Sequence, residues 1–120
     1  MNAVVEWLLV SIMLLLIDIP WLLLTSESSA TVIKGIQGSP LKFRPESALI
    51  VYPAMGYLLL QSKSMSQAFL IGFAAYLIYD FTNYATLTNF PLWFAVRDSL
   101  YGGLLFAVSY YIAKQYNLVS

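Results

Sequence analysis

The chain has 120 residues, a length that suits one domain. Apolar residues make up 60% of it and charged residues only 10%, against roughly 45–50% and about 25% in soluble domains, so the composition points to lipid as the solvent. Six basic and six acidic residues cancel, which removes the electrostatic case for nucleic acid or an anionic surface. With neither Cys nor His, disulfides, thiolate chemistry, the usual zinc, haem and iron–sulfur ligands, and Ser-His or Cys-His nucleophile pairs are all excluded.

Residues 4–24 form the first predicted membrane helix, matching the roughly 20 residues that cross a hydrocarbon core. A cleaved signal peptide is the rival reading, with Ser28-Ser29-Ala30 as a cleavage-like site. The lack of Lys or Arg before the apolar run, the length of that run and Asp18 inside it argue against this. Pro20 has no N–H for the Leu16 carbonyl and is expected to kink the helix. Residues 25–44 read as a polar connection. Ser28 or Ser29 is placed to cap a short helix in which Val32, Ile33 and Ile36 share one side, away from Lys34 and Gln37. Such a helix would lie along the membrane surface, and a plain loop is the equal alternative. Gly38-Ser39-Pro40 ends the segment as a turn.

Residues 45–61 are the second predicted span, started by Pro45 and Glu46. Its uninterrupted apolar part, 48–60, is short for a crossing, which leaves a re-entrant hairpin as an alternative. Pro53 is a second internal kink, and 61–67 reads as a polar turn. Residues 68–85 and 91–114 are the third and fourth spans. Each Leu, Ile or Phe favours insertion by about 0.3–0.6 kcal/mol, while a central Asp costs about 2.5–3.5 kcal/mol. The third span therefore roughly breaks even and must pack Asp80 against other helices. The fourth, with Arg97 and Asp98, is under the same constraint. The expected architecture is an all-α, four-pass transmembrane helix bundle forming a single membrane domain, with a short interfacial helix after the first span. Both termini then lie on one side. Lys34, Lys42, Arg44 and Arg97 fall at the other, which leans toward cytoplasmic connections.

The stretch 79–98 joins two apolar runs, yet it has an acid near each end, with amides, hydroxyls and aromatics between. Measured from the side of the long connection, Asp18, Asp80, Asp98 and Tyr52 all fall roughly 8–12 Å deep at 1.5 Å per residue. Helical spacing gathers Ser11, Leu14, Asp18 and Trp21 on one face of the first span, and Tyr52 and Gly56 on the second. It gathers Gly72, Tyr76, Asp80 and Asn83 on the third, and Asp98, Gly102, Leu105 and Ser109 on the fourth. The candidate binding residues are thus Asp18, Tyr76, Asp80, Asn83, Arg97, Asp98 and Tyr101. Only Arg97 is at hand to neutralise three aspartates, so at most one or two of them are expected to be ionised unless a cation binds. Arg97 points about 100° from Asp98 on a helix, so its expected partner is an acid on another helix or a lipid phosphate. Intramembrane Asp, Asn and Tyr also serve simply to bond helices together. Trp7, Trp21, Trp93, Tyr110, Tyr111 and Tyr116 are expected as interface anchors.

The run Tyr79-Asp80-Phe81-Thr82-Asn83-Tyr84-Ala85-Thr86-Leu87, the pair Phe90-Pro91 and the run Asp98-Ser99-Leu100-Tyr101-Gly102 resemble domain-of-unknown-function family 2177, an uncharacterised family of membrane proteins. Asp18-Ile19-Pro20-Trp21 resembles that family's Asp-x-x-Trp element. The resemblance implies a four-pass membrane protein with the acids as its signature, and it carries no activity.

Three functions compete. The first is binding or transport of a proton, cation or polar headgroup at Asp80 and Asp98, with Asp18 completing the set. No cofactor is evident, and hard oxygen ligands would suit Mg²⁺ or Ca²⁺. The second is a structural subunit of a larger membrane assembly. The third is a lipid-modifying enzyme using paired carboxylates as acid and base. The expected partners are the lipid bilayer and other membrane proteins or further copies of the chain, and not nucleic acid.

Overall fold

The computed structural model describes residues 1–119, and every regular element among them is helical. Helix α1 spans Ala3–Leu24 and starts where the Asn2 side chain accepts the Val5 N–H, satisfying one of the free donors at a helix start. It continues through Pro20 to Leu24. Helix α2, Ser26–Gln37, follows almost without a break, since Thr25 bonds the Trp21 carbonyl through both its N–H and its hydroxyl. This corrects the expected cap. The helix begins before Ser28 and Ser29, and the Ser28 hydroxyl donates back to the Thr25 carbonyl instead. Gly38 ends α2 at φ +76°, a left-handed conformation that glycine adopts without steric cost.

A short 3₁₀ turn at Pro45–Ser47 leads into α3, Ala48–Leu60. Helix α4, Met65–Thr86, opens at Ser64, whose side chain accepts the Gln67 N–H while Gln67 accepts the Lys63 N–H in return. That reciprocal pairing explains why the polar turn after α3 stops where it does. Helix α5 spans Leu92–Gln115. It closes with Asn117 at φ 56° and with the Leu118 N–H donating to the Ala113 carbonyl at 2.9 Å. This is the Schellman ending, and it folds Leu118 back into the core beside Ala113.

Two helix pairs make the bundle. α4 and α5 pack along most of their lengths, and α1 packs against α3. α1 also meets α5, while α3 touches α4 only briefly. Glycine permits the close approaches: a Cβ on Gly72 would overlap the Gly102 carbonyl and Phe106, and one on Gly56 would overlap Ser11. Val10, Leu14, Met55, Leu59, Ala68, Leu105 and Phe106 fill the space between the pairs.

The bundle has two distinct ends. At one, the Asn89 amide donates to the Gly35 carbonyl, joining the α4–α5 connection to α2. At the other, Ala3, Glu6, Leu60, Asn117 and Leu118 border one hollow. The long dimension is 47 Å, close to the roughly 40–45 Å of a bilayer with its headgroup layers. Large apolar side chains such as Leu16, Ile78 and Leu104 stay exposed on the flanks while Asp18 and Asp80 are buried. All four segments expected to span are helical. Among the described residues, however, α1 alone is long and apolar enough to cross a membrane by length and composition. α3 has 13 residues, about 20 Å of helix, and α4 and α5 dilute their apolar runs with Asp, Arg, Asn and Tyr.

Candidate functional site

Asp18 lies on the buried stripe of α1 below Ser11 and Leu14, four residues on from Leu14 and so one turn further along the same face. One carboxylate oxygen accepts the Tyr52 hydroxyl of α3 and the other the Tyr101 hydroxyl of α5, each at 2.5 Å. Hydrogen bonds this short are the strong kind. A single side chain thus ties α1 to both of its neighbours. Trp21, one turn further along α1, stacks on the Tyr101 ring with centroids 4.2 Å apart and planes 7° apart. Tyr76 of α4 meets the same ring edge-on at 6.4 Å. It fits because residue 102 is glycine: any Cβ there would run into the Tyr76 ring. Tyr76 consequently lies within electrostatic reach of Asp18, Asp80 and Asp98 together.

Asp80 is fully buried on α4, and neither of its carboxylate oxygens has a hydrogen-bond partner of sound geometry among the described residues. The Asp98 carboxyl on α5 adjoins it, near enough for a side-chain hydrogen bond between the two when one of them carries a proton. Burying an unsatisfied charge is far costlier than burying a bonded one. Two adjacent carboxylates cannot both stay ionised without a proton or a cation between them. Asp98 is half-buried and opens onto a cavity of about 390 Å³, whose other walls are Val51 and Met55 of α3 and Ala75, Tyr76 and Tyr79 of α4. The cavity lies where α3 and α4 separate, and Val51 and Tyr79 at its rim are exposed.

Arg97 departs from expectation. Among the described residues it makes no ion pair with an acid on another helix. Its guanidinium sits 5.1–5.5 Å from the ring centres of Trp21, Trp93 and Phe94, and it donates one bond of 3.3 Å to the Ser28 hydroxyl of α2. Its charge still acts on Asp98. The aromatic ring faces supply the electrostatic attraction that a carboxylate was expected to give. Asn83 is half-buried one turn beyond Asp80 and, among the described residues, makes no side-chain hydrogen bond to the acids. Asp18, expected to complete a set with Asp80 and Asp98, has each of its oxygens accepting one tyrosine hydroxyl. No group of three or more carboxylates stands in a metal-holding arrangement among the described residues.

Two contributors escaped the candidate set. Tyr52, level with Asp18 by residue count but outside the candidate binding set, bonds Asp18. Trp21 was assigned to an interface belt, yet it packs on Tyr101 and beside Arg97. Their signal lay in the helical register, one face shared with Gly56 and with Asp18 respectively, and only the partner helices give that register meaning.

An all-helical chain that turns its three aspartates inward and leaves many of its leucines and isoleucines exposed is built in the manner of a helical membrane protein. The chain belongs to domain-of-unknown-function family 2177, described as predicted membrane protein, whose sequence profile matches residues 3–114. No curated protein and no solved structure matches it.

Proposed function

We propose that the chain crosses the bilayer four times, through α1, the Pro45–Leu60 segment, α4 and α5, and that the Asp80–Asp98 pair binds a cation there in exchange for a proton. One observation carries this reading: a fully buried carboxylate that meets no hydrogen-bond donor of sound geometry among the described residues adjoins a second carboxyl, which opens onto a cavity. When nothing is bound, one proton held between the two carboxyls leaves a single negative charge, which the nearby Arg97 offsets. When a monovalent cation enters, the proton leaves to water and the cation takes its place between the oxygens, so charge is conserved; a divalent cation would leave the site one charge more positive. Asp18 has a different part. Each of its oxygens accepts one tyrosine hydroxyl, from Tyr52 and from Tyr101, which supports a structural role beside the pair.

The test is proton release from the purified protein in weakly buffered nonionic micelles as Na⁺, K⁺, Mg²⁺, Ca²⁺ or methylammonium is added. Saturable release of about one proton per chain by at least one of these ions, lost in Asp80→Asn and in Asp98→Asn, supports the reading. No release by any of them, from a protein whose helix content and melting are normal, overturns it and leaves the acids as bonds between helices.

A further inference from the structure

We infer that the cation taken at Asp98 is the head of a single-chain amphiphilic amine, admitted sideways between α3 and α4 with its tail in the cavity. This rests on the reading of Asp80–Asp98 as a cation site and names its ligand class. The volume is the first reason. At about 390 Å³ the cavity is in the range of small-molecule sites, roughly 300–1,000 Å³, and equals about a dozen waters at roughly 30 Å³ each. An inorganic ion would leave nearly all of it unfilled.

The walls are the second reason. Val51, Met55 and Ala75 are apolar, Tyr76 and Tyr79 are aromatic, and Asp98 is the one charged residue among them. Such a surface cannot replace the water shell of a small hard ion. It suits an alkyl chain, and aromatic rings beside a carboxylate attract an ammonium group. The sign of the charge is the third reason. The charged groups acting on Asp98 are Asp80, Asp18 and Arg97, and Arg97 is already held by three rings and Ser28. Acid is in excess, so an anionic head is repelled. The route is the fourth reason. α3 and α4 barely touch, and the rim residues Val51 and Tyr79 are 46% and 66% exposed on the flank of the bundle. A tail arriving from the acyl region has a continuous apolar path.

Native mass spectrometry of the whole chain from nonionic micelles tests this with dodecylammonium, methylammonium, dodecanol and dodecyl sulfate as probes. The expected result is dodecylammonium bound at one per chain, at least tenfold tighter than each of the other three. Asp98→Asn is expected to lower its affinity at least tenfold. Ala75→Leu, which fills the cavity without touching the carboxyl, is expected to narrow the preference for dodecylammonium over methylammonium. Should Asp98→Asn fail to fold, Ala75→Leu and the ranking of the four probes on the unaltered chain decide the matter. Equal binding of dodecanol and dodecylammonium, or tighter binding of dodecyl sulfate, overturns the inference. Proton release by methylammonium or an inorganic ion, with no gain from the dodecyl tail, sinks the amphiphile and spares the cation site. Loss of both sinks the two together.

Discussion

A side chain such as Asp18 has more to lose in this fold than its charge. It accepts from two tyrosines on two different helices, so removing either hydroxyl leaves a buried oxygen unsatisfied. Hydrogen bonds between helices in lipid are modest, averaging about 0.6 kcal/mol with a maximum near 1.7 kcal/mol. Tyr52→Phe and Tyr101→Phe are each expected to cost about 0.5–2 kcal/mol. A double-mutant cycle with Asp18→Asn, read by unfolding in micelles, should give a coupling of that size for each pair. Tyr101→Ala should cost more than Tyr101→Phe, because the ring also stacks on Trp21 and braces Tyr76. Additive costs in the cycle would mean that the two bonds do not hold the helices.

The glycines give a second contrast at this scale. Gly102→Ala pushes a methyl group into Tyr76 and is expected to destabilise by about 1–3 kcal/mol, the usual cost of overpacking. Gly35→Ala, inside α2 with nothing near its Cβ position, should instead gain up to about 1 kcal/mol of helix propensity. Thermal melting of the two variants compares them, and a Gly102→Ala chain as stable as its parent would show that Tyr76 is not wedged against α5.

Among the elements, α2 is the one held by the fewest contacts. Arg97 reaches it through Ser28, and Asn89 through the Gly35 carbonyl. Arg97→Leu should therefore raise hydrogen exchange in Ser26–Gln37 while leaving α4 protected, and unchanged exchange in α2 would show that Arg97 serves only the acids. The helices themselves were legible from composition and spacing: the expected bounds of 4–24, 45–61, 68–85 and 91–114 differ by a few residues at most from those observed. Faces were legible as well, because small residues and acids recur every three or four positions. Partners were not. Asp18 finds Tyr52 and Tyr101 across 34 and 83 residues of chain, and no local rule selects those tyrosines over the others. Charge alone matches Arg97 to an acid on another helix or to a lipid phosphate, whereas the folded chain surrounds it with rings brought from α1 and α5. The start of α2 was misplaced because serines are good caps, and continuity of helix from α1 outweighed that preference.

At the scale of the whole molecule, the bundle is 47 Å long and has exposed leucines on its flanks, and its length is close to that of a bilayer with its headgroup layers. The chain has no cysteine, so single cysteines report sidedness without background. Asn2→Cys, Lys63→Cys and Asn117→Cys should be labelled from one face of sealed vesicles, and Ser39→Cys and Asn89→Cys from the other. Labelling of Ser39→Cys and Lys63→Cys from the same face would make the Pro45–Leu60 segment re-entrant. The claim on which the rest depends is that one proton is held between the buried Asp80 carboxyl and the half-buried Asp98 carboxyl within this bundle. Infrared spectroscopy of the protein in bilayers, free of added amines, reads it directly. The account predicts one protonated-carboxyl C=O band that survives Asp18→Asn and disappears in both Asp80→Asn and Asp98→Asn. A spectrum without that band, or a band indifferent to both substitutions, would contradict it.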